Sequence, residues 1–131
     1  MSATKTMPDL SMHTGSGEFY RNTLSRKFIN TEGVQDMVTQ CKAFWLLDLV
    51  MSHLPKRHVG CEHFQLWSIR MLPASAQNKA IVECRTDTNG RVLCSQLLPY
   101  TDFPLNEGET FEWYVIANEL GGFTMLLKSE Y

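Results

Sequence analysis

Four side chains that could bind a metal ion lie close together in the middle of the sequence. They are His53, His58, Cys61 and His63, within eleven consecutive positions. Zinc in proteins is held by about four nitrogen or sulfur donors of this kind. Their spacing is not that of a known zinc finger, and the adjacent Lys56 and Arg57 are typical of a solvated loop. We therefore expect no metal and no other cofactor, and these four residues are candidates only.

Asp48 interrupts an apolar helical pattern, where a carboxylate is costly to bury. It follows Trp45 by three residues and precedes Ser52 by four, so the three lie on or near one face of the predicted helix. A carboxylate in apolar surroundings needs hydrogen-bond donors or a raised pKa. Asp48 could be a general base or an anchor in a pocket with Ser52 and His53, or it could bond to the strand layer and fix the helix. We favour the structural role and keep the pocket as an alternative.

The alternative pocket would lie between helix and sheet. An arginine there could meet an anionic ligand, and aromatic rings could stack on a planar one. The predicted lining residues are Tyr20, Arg21, Trp45, Asp48, Ser52, His53 and Trp67. Such a pocket would bind a small molecule or carry out catalysis.

No motif of a known catalytic class is present. The sequence lacks G-x-S-x-G, a P-loop, G-x-G-x-x-G and H-E-x-x-H. Cys41 is a possible nucleophile, but it falls on the apolar helical stripe, where a buried and inert thiol is expected. We expect no enzymatic activity, although the pocket around Asp48 leaves that question open.

The segment 99–105 combines two prolines, two aromatic residues and one acid. Such a loop can present a rigid aromatic surface to a partner, through Tyr100, Asp102 and Phe103. Alternatively, it tucks Phe103 and Leu105 into the edge of the core. The sequence does not separate these two interpretations.

Length, composition and charge narrow the class of protein. The chain has 131 residues, of which 44% are hydrophobic, and a formal net charge of −2. A chain of this size buries about two thirds of its surface, which suffices for one core. Near-neutral charge argues against nucleic-acid binding, which needs clustered lysine and arginine. The charge is uneven, because residues 99–131 carry −5 and the remainder +3, and an acidic surface can attract a basic partner.

The cysteines and the N-terminus indicate a compartment. The four cysteines form no C-x-x-C pair and no regular framework, so reduced thiols are expected. The N-terminal residues contain no apolar run of signal-peptide length, and no window of about 18 apolar residues occurs. We expect a cytoplasmic protein that does not contact a membrane.

The spacing of the hydrophobic residues changes once along the chain, from a helical repeat to the alternation typical of strands. Apolar residues repeat at three and four positions from the helix cap Thr31 to about His53, which predicts one long helix. Pro55 ends that pattern, and alternation then predicts strands over 64–71, 79–85, 91–98, 110–117 and 123–128. We predict an α+β fold in two layers: an antiparallel sheet of four to five strands packed against one long helix. Residues 1–8 would form a flexible tail and residues 9–131 a single domain.

The segment 87–90 predicts a hairpin, because Asn-Gly supplies backbone with positive φ. A two-residue turn would pair Cys84 with Ser95. A three-residue loop with Gly90 in a bulge would pair Cys84 with Cys94. Both registers are compatible with the sequence.

Seven segments resemble, in this order, a family of small bacterial, plasmid and phage proteins known only as a domain of unknown function. They are residues 19–21, 31–34, 43–48, 52–56, 64–67, 99–105 and 129–131. The resemblance covers about residues 9–131 and implies no chemistry. The segment from Arg57 to His63 departs from the family pattern, so a function located there would belong to this chain alone.

These observations predict a small, non-enzymatic protein-binding domain. It would act through the exposed face of the sheet, the 99–105 loop and the acidic C-terminal hairpin. The resemblance implies an accessory or anti-defence role in a bacterial mobile element. The expected partner is another protein, with a homodimer as a further possibility, and nucleic acid is not expected.

Overall fold

A computed structural model describes residues 6–14, 18–21, 27–73, 78–86 and 90–131. In this part of the chain there are seven strands, three helices and a C-terminal 3-10 turn, Lys128–Glu130. The strands are β1 (Phe19–Arg21), β2 (Phe28–Thr31), β3 (Phe64–Met71), β4 (Ala80–Arg85), β5 (Val92–Leu98), β6 (Thr110–Ala117) and β7 (Phe123–Leu127). The helices are α1 (Glu32–Gln40), α2 (Phe44–His53) and α3 (Arg57–Gly60).

The seven strands form one mixed sheet with the order β1-β2-β7-β6-β3-β4-β5. Every neighbouring pair is antiparallel except β2 and β7, which are parallel, with Phe28 opposite Phe123. The predicted antiparallel sheet of four to five strands packed against one long helix is therefore wrong. Its five strand segments each contain an observed strand, but β1 and β2 extend the sheet beyond β7 and the helical part is divided.

The predicted long helix is two helices because the chain turns sharply at Lys42. The Ala43 N–H donates to the Val38 carbonyl at 2.8 Å, and the Lys42 N–H donates to the Thr39 carbonyl at 3.3 Å. These bonds form a Schellman motif, which requires a left-handed residue that is usually glycine. Here Lys42 adopts it, with φ of 53°. The start of the helix was predicted correctly, since the Thr31 side chain accepts a hydrogen bond from the Val34 N–H.

The β4–β5 hairpin has the second of the two registers left open by the sequence. Cys84 lies opposite Cys94, and a register shift follows between Cys84 and Arg85. Residues 87–89 of the predicted turn lie outside the described residues.

Alternation along the strands gives the sheet two different faces. On one face, Trp67, Trp113 and Met125 belong to a single core cluster with helix residues that include Met37 and Leu46. We call this side the covered face. The other side carries Leu66, Tyr114 and Leu126, and the buried residues of α1, α2 and α3 do not pack on it. We call it the open face.

A buried carboxylate joins α1 to the C-terminal turn. Glu130 accepts hydrogen bonds from the Thr31 hydroxyl at 2.5 Å, the Gly33 N–H at 3.2 Å and the Leu127 N–H at 2.9 Å. A negative charge is favourable at this helix end. Gly33 is required for the approach, because a Cβ built there would lie 2.5 Å from a Glu130 carboxylate oxygen.

Part of the predicted N-terminal tail is described. Met7 and Leu10 are half-buried against the core cluster, and the His13 ring lies 3.1 Å from the Asp36 carboxylate on α1. Residues 1–5 of the tail lie outside the described residues. None of the helices in the described ranges has the length and apolar content needed to cross a membrane.

Candidate functional site

The open face carries a cluster of three aromatic rings, Phe64, Tyr114 and Tyr131. The Phe64 ring centre lies 4.9 Å from that of Tyr114 and 5.3 Å from that of Tyr131, and the two tyrosine rings are 5.5 Å apart. Leu66 and Leu126 are buried on the same side of the sheet, although they are not part of the core cluster that contains the described helices. Tyr131 retains 76% of its exposure, so the cluster presents an aromatic surface to solvent.

A groove of about 650 Å³ lies at the β1–β2–β7 end of the open face. Its apolar walls come from Phe19 on β1, Ile29 on β2 and Leu120 in the β6–β7 turn, and Glu119 lies at the same wall. Phe19 and Leu120 are exposed large hydrophobic residues, 54% and 43% accessible. The groove therefore offers apolar surface next to a negative charge.

The acids of residues 99–131 do not form one acidic surface. Glu130 turns inward to α1, and Glu112 accepts a hydrogen bond from the Lys128 ammonium at 3.0 Å. Glu109 accepts hydrogen bonds from the backbone N–H of Asn106 at 2.6 Å and from its side-chain amide at 2.8 Å. The charge of −5 is thus divided among separate places on the molecule.

The predicted pocket residues lie at separate positions. Tyr20 and Arg21 are exposed on the edge strand β1, and β2, β7 and β6 lie between them and Trp67 on β3. Trp67 is fully buried in the core. Asp48 and Ser52 are exposed on α2, and the Ser52 hydroxyl donates to the Leu49 carbonyl of its own helix at 2.6 Å.

Trp45 instead meets the 99–105 loop. A small pocket of about 240 Å³ is lined by Trp45, Leu98, Tyr100, Thr101 and Asp102. Phe103 is fully buried, and its ring packs edge-on against Trp45 at 6.4 Å. Phe103 and Leu105 fill the edge of the core, as one of the two interpretations of the loop predicted, while Tyr100 and Asp102 are exposed.

His53 is buried, and both nitrogens of its ring have partners. Its Nδ1 lies 3.0 Å from the Lys56 ammonium and its Nε2 lies 2.8 Å from the Gln96 side-chain oxygen. Lysine has only donors, so Nδ1 accepts and the proton is on Nε2, which donates to Gln96. The other candidate ligands, His58, Cys61 and His63, are exposed. Within the described ranges, no group of three or more His, Cys, Asp or Glu side chains could hold a metal ion.

Gln65 organises the buried polar groups beside His53. Its amide nitrogen donates to the carbonyls of Val59 at 2.8 Å and Glu62 at 2.9 Å. Its amide oxygen accepts from the Trp67 indole at 2.8 Å and from the Cys84 thiol at 3.6 Å. This fully buried side chain therefore connects α3 to the centre of the sheet.

Cys84 and Cys94 form a thiol pair on the covered side of β4 and β5. The pKa of Cys94 is lowered, first by the hydrogen-bonding interaction with the Cys84 side chain and also by the positive charge of Lys56. The same contact and burial raise the pKa of Cys84. Burial disfavours the charged form of Cys84, which is fully buried, more than that of Cys94, which is half-buried.

The sequence interpretation did not single out this thiol pair as a site. The signal was present in the hairpin register that places Cys84 opposite Cys94. Neither Lys56 nor Gln65 is adjacent to them in sequence, so their part in the cluster depends on the fold.

A family model described as a family of unknown function, DUF6876, matches residues 4–131. The chain belongs to the DUF6876 family. No curated protein matches the chain, and no solved structure matches it.

Segments that carry the resemblance to the DUF6876 family contact each other in the folded chain. Thr31 and Gly33 of one segment bind Glu130 of the C-terminal segment, and Trp45 packs on Phe103 of the 99–105 loop. Two groups of distant segments are therefore joined by specific side-chain contacts, one polar and one aromatic.

Proposed function

We propose that this DUF6876 protein is a protein-binding domain that contacts its partner through the open face. The observation that carries the proposal is the cluster of half-buried Phe64 and Tyr114 with exposed Tyr131, on a side of the sheet where the described helices do not pack. Aromatic residues are enriched in protein interfaces, where they supply large contact area at low entropic cost.

We infer the chemistry of the partner from the residues that line the groove. Phe19, Ile29 and Leu120 offer an apolar wall of the size that accommodates a large hydrophobic side chain. Glu119 beside them favours a neighbouring lysine or arginine on the partner. We propose a partner that presents an apolar side chain next to a basic one.

A small-molecule or catalytic pocket between helix and sheet is less well supported. Asp48 and Ser52 are exposed, whereas Trp67 is buried far from β1. The pocket beside Trp45 has a volume of about 240 Å³. That volume is below the range of about 300–1,000 Å³ that is usual for ligand pockets.

Matched variants on the two sides of the molecule test the proposal. Tyr131→Ala and Phe19→Ala alter the open face. Tyr100→Ala and Phe44→Ala remove side chains that are 70% and 50% exposed on the loop and on α2. Each purified variant is used to capture proteins from a bacterial host lysate, and sedimentation of each variant alone measures self-association.

We expect the open-face variants to lose a partner that the wild type and both controls retain. Loss of self-association in the same two variants would identify a second copy of the chain as the partner. Equal retention by all four variants, or equal loss, would contradict the proposal.

We also propose a cytoplasmic, bacterial setting for the protein, with an accessory or anti-defence role in a plasmid or phage. The family resemblance and the absence of a disulfide-like cysteine spacing support it. Phage plating efficiency on bacteria with and without the expressed protein tests the role. Unchanged plating on a panel of defence-carrying hosts would count against it.

A further inference from the structure

We propose that Cys94 is a peroxide-reactive thiol and that Cys84 resolves its oxidised form as a disulfide across β4 and β5. The proposal is independent of partner binding, because both thiols lie on the covered side of the sheet. It assigns a modification site to a part of the molecule that the proposed function does not use.

The backbone places the two sulfurs for bond formation. Cys84 and Cys94 are directly opposite each other in an antiparallel pair. Opposed Cα atoms in such a ladder are about 4.5–5.5 Å apart, and disulfides span about 4.4–6.8 Å. The side chain of Cys84 also acts on Cys94, since it is the main cause of the lowered pKa of Cys94. A disulfide therefore forms without separation or sliding of the strands.

Position in the sheet decides which thiol reacts first. β5 is an edge strand, with β4 as its only neighbour in the described sheet, and Cys94 is half-buried there. Cys84 lies one strand further in and is fully buried. A small oxidant reaches Cys94 before Cys84.

Neighbouring groups favour the reactive thiolate on Cys94. The interaction with the Cys84 side chain and the positive charge of the Lys56 ammonium both lower the pKa of Cys94. Lys56 is held near by its hydrogen bond to His53, which is itself bound to Gln96 on β5. Thiolates rather than thiols attack peroxides, so this arrangement activates Cys94.

The reaction balances with a hydroperoxide as the oxidant. The Cys94 thiolate attacks one peroxide oxygen, the O–O bond breaks, and the departing oxygen takes a proton to leave as water or an alcohol. Cys94 is then a sulfenic acid. The charge of Cys94, one cause of the raised pKa of Cys84, is lost when the sulfenic acid forms. The Cys84 sulfur then attacks the Cys94 sulfur, the S–O bond breaks, and hydroxide leaves with the Cys84 proton as water. Two electrons pass from the two thiols to the peroxide.

The other two cysteines differ in ways that make them controls. Cys41 is buried in the core, and burial raises its pKa to about 11, so it is present almost entirely as the unreactive thiol at neutral pH. Cys61 is exposed at the end of α3. If exposure alone decided reactivity, Cys61 would be oxidised before Cys94.

The test treats the full, reduced protein with hydrogen peroxide and maps its peptides without reduction. In the wild type and in Cys61→Ser, we expect the mass to fall by two hydrogen atoms and a disulfide to link the Cys84 and Cys94 peptides. Dithiothreitol should reverse both changes. In Cys84→Ser, dimedone should trap a sulfenic acid at Cys94, and Cys94→Ser should form neither product. Lys56→Met should slow the wild-type reaction several-fold.

Two outcomes would overturn the proposal. One is oxidation of Cys61 while Cys84 and Cys94 stay reduced in the wild type. The other is sulfenic acid at Cys94 in the wild type without conversion to the disulfide. Both measurements use the wild type, so they hold even if a cysteine variant fails to fold.

Discussion

The covered and open faces are built from the same strands, yet their side chains are buried by different means. On the covered face, α1 and α2 enclose Trp67 and Trp113, and the polar side chain of Gln65 is satisfied within the core. On the open face, Leu66 and Leu126 are buried on either side of Tyr114, and the described helices do not pack there. The comparison shows that a side chain can be buried in this protein while a neighbouring ring, that of Tyr131, remains exposed to solvent.

Two consecutive residues at the C-terminal turn show the same difference between buried and exposed surroundings. The Glu130 carboxylate is buried against the N-terminus of α1, whereas the Tyr131 ring lies against Phe64 on the open face. The turn therefore connects the two faces of the sheet.

The largest expected effect is a loss of stability, which we compare between one leucine variant on each face. Leu46→Ala removes a fully buried side chain from the helix-covered core, and we expect a loss of about 4 kcal/mol in unfolding free energy. Leu66→Ala should cost nearer about 2 kcal/mol, because the surface rings around it can move into the space. Urea denaturation measures both. Equal losses would mean that the open face is packed as rigidly as the core.

The next effect tests the connection between the faces. Gly33→Ala places a Cβ against the Glu130 carboxylate, and Glu130→Ala removes the acceptor for the Thr31 hydroxyl and two backbone N–H groups. We expect each change to cost about 2 kcal/mol. The double variant should cost less than the sum by about 1 kcal/mol or more, because the smaller side chain at 130 leaves space for the new methyl group. Strict additivity in a double-mutant cycle would disprove the close contact.

A smaller effect is expected at the exposed tyrosines. Tyr131→Ala removes two ring contacts on the open face and should reduce stability by about 0.5–1 kcal/mol. Tyr100→Ala should change it by less than about 0.5 kcal/mol. Thermal unfolding of the two variants measures the difference. A larger effect for Tyr100 would mean that its loop, rather than the aromatic cluster, supports the fold.

The smallest effect concerns the ion pair between Lys128 and Glu112. Lys128→Met should cost about 0.3 kcal/mol at neutral pH, because both side chains are partly exposed and solvent weakens their attraction. The hydrogen bond to Glu112 raises the pKa of Lys128. Its contribution is therefore complete below the unfolded lysine value of about 10.4 and is lost as pH rises through the higher folded value.

Unfolding of wild type and Lys128→Met by urea at pH 7 and at about pH 11 checks the sign. The difference between them should shrink at the higher pH. A difference that grew with pH would contradict the assigned ion pair.

Much of the sheet could be predicted from local sequence. Alternation of apolar residues located β3 to β7, and the Asn-Gly turn restricted the β4–β5 hairpin to two registers, one of which is observed. The helix break at Lys42 could not be predicted from the sequence, because a lysine occupies the left-handed position where a glycine is the usual signal. The parallel pairing of β2 with β7 depends on contacts between distant segments, for which the sequence pattern carries no information.

The candidate site was only partly predictable. The sequence identified Trp45 and the 99–105 loop separately, and the structure brings them into contact. The aromatic cluster was missed because its rings come from β3, β6 and the C-terminal turn, which are far apart in the chain. Their grouping is a property of the strand order.

The parallel pairing of β2 and β7 also has a consequence for how the chain folds. Phe28 and Phe123 are paired although they are 95 positions apart in the sequence, so their contact closes a long loop. Closing a long loop costs chain entropy, and we therefore expect this contact to form late in folding. The β3–β4 and β4–β5 hairpins need only short loops. We expect pulsed hydrogen exchange during refolding to protect the amides of β3 and β4 before those of β2, with docking of β2 as the slow step.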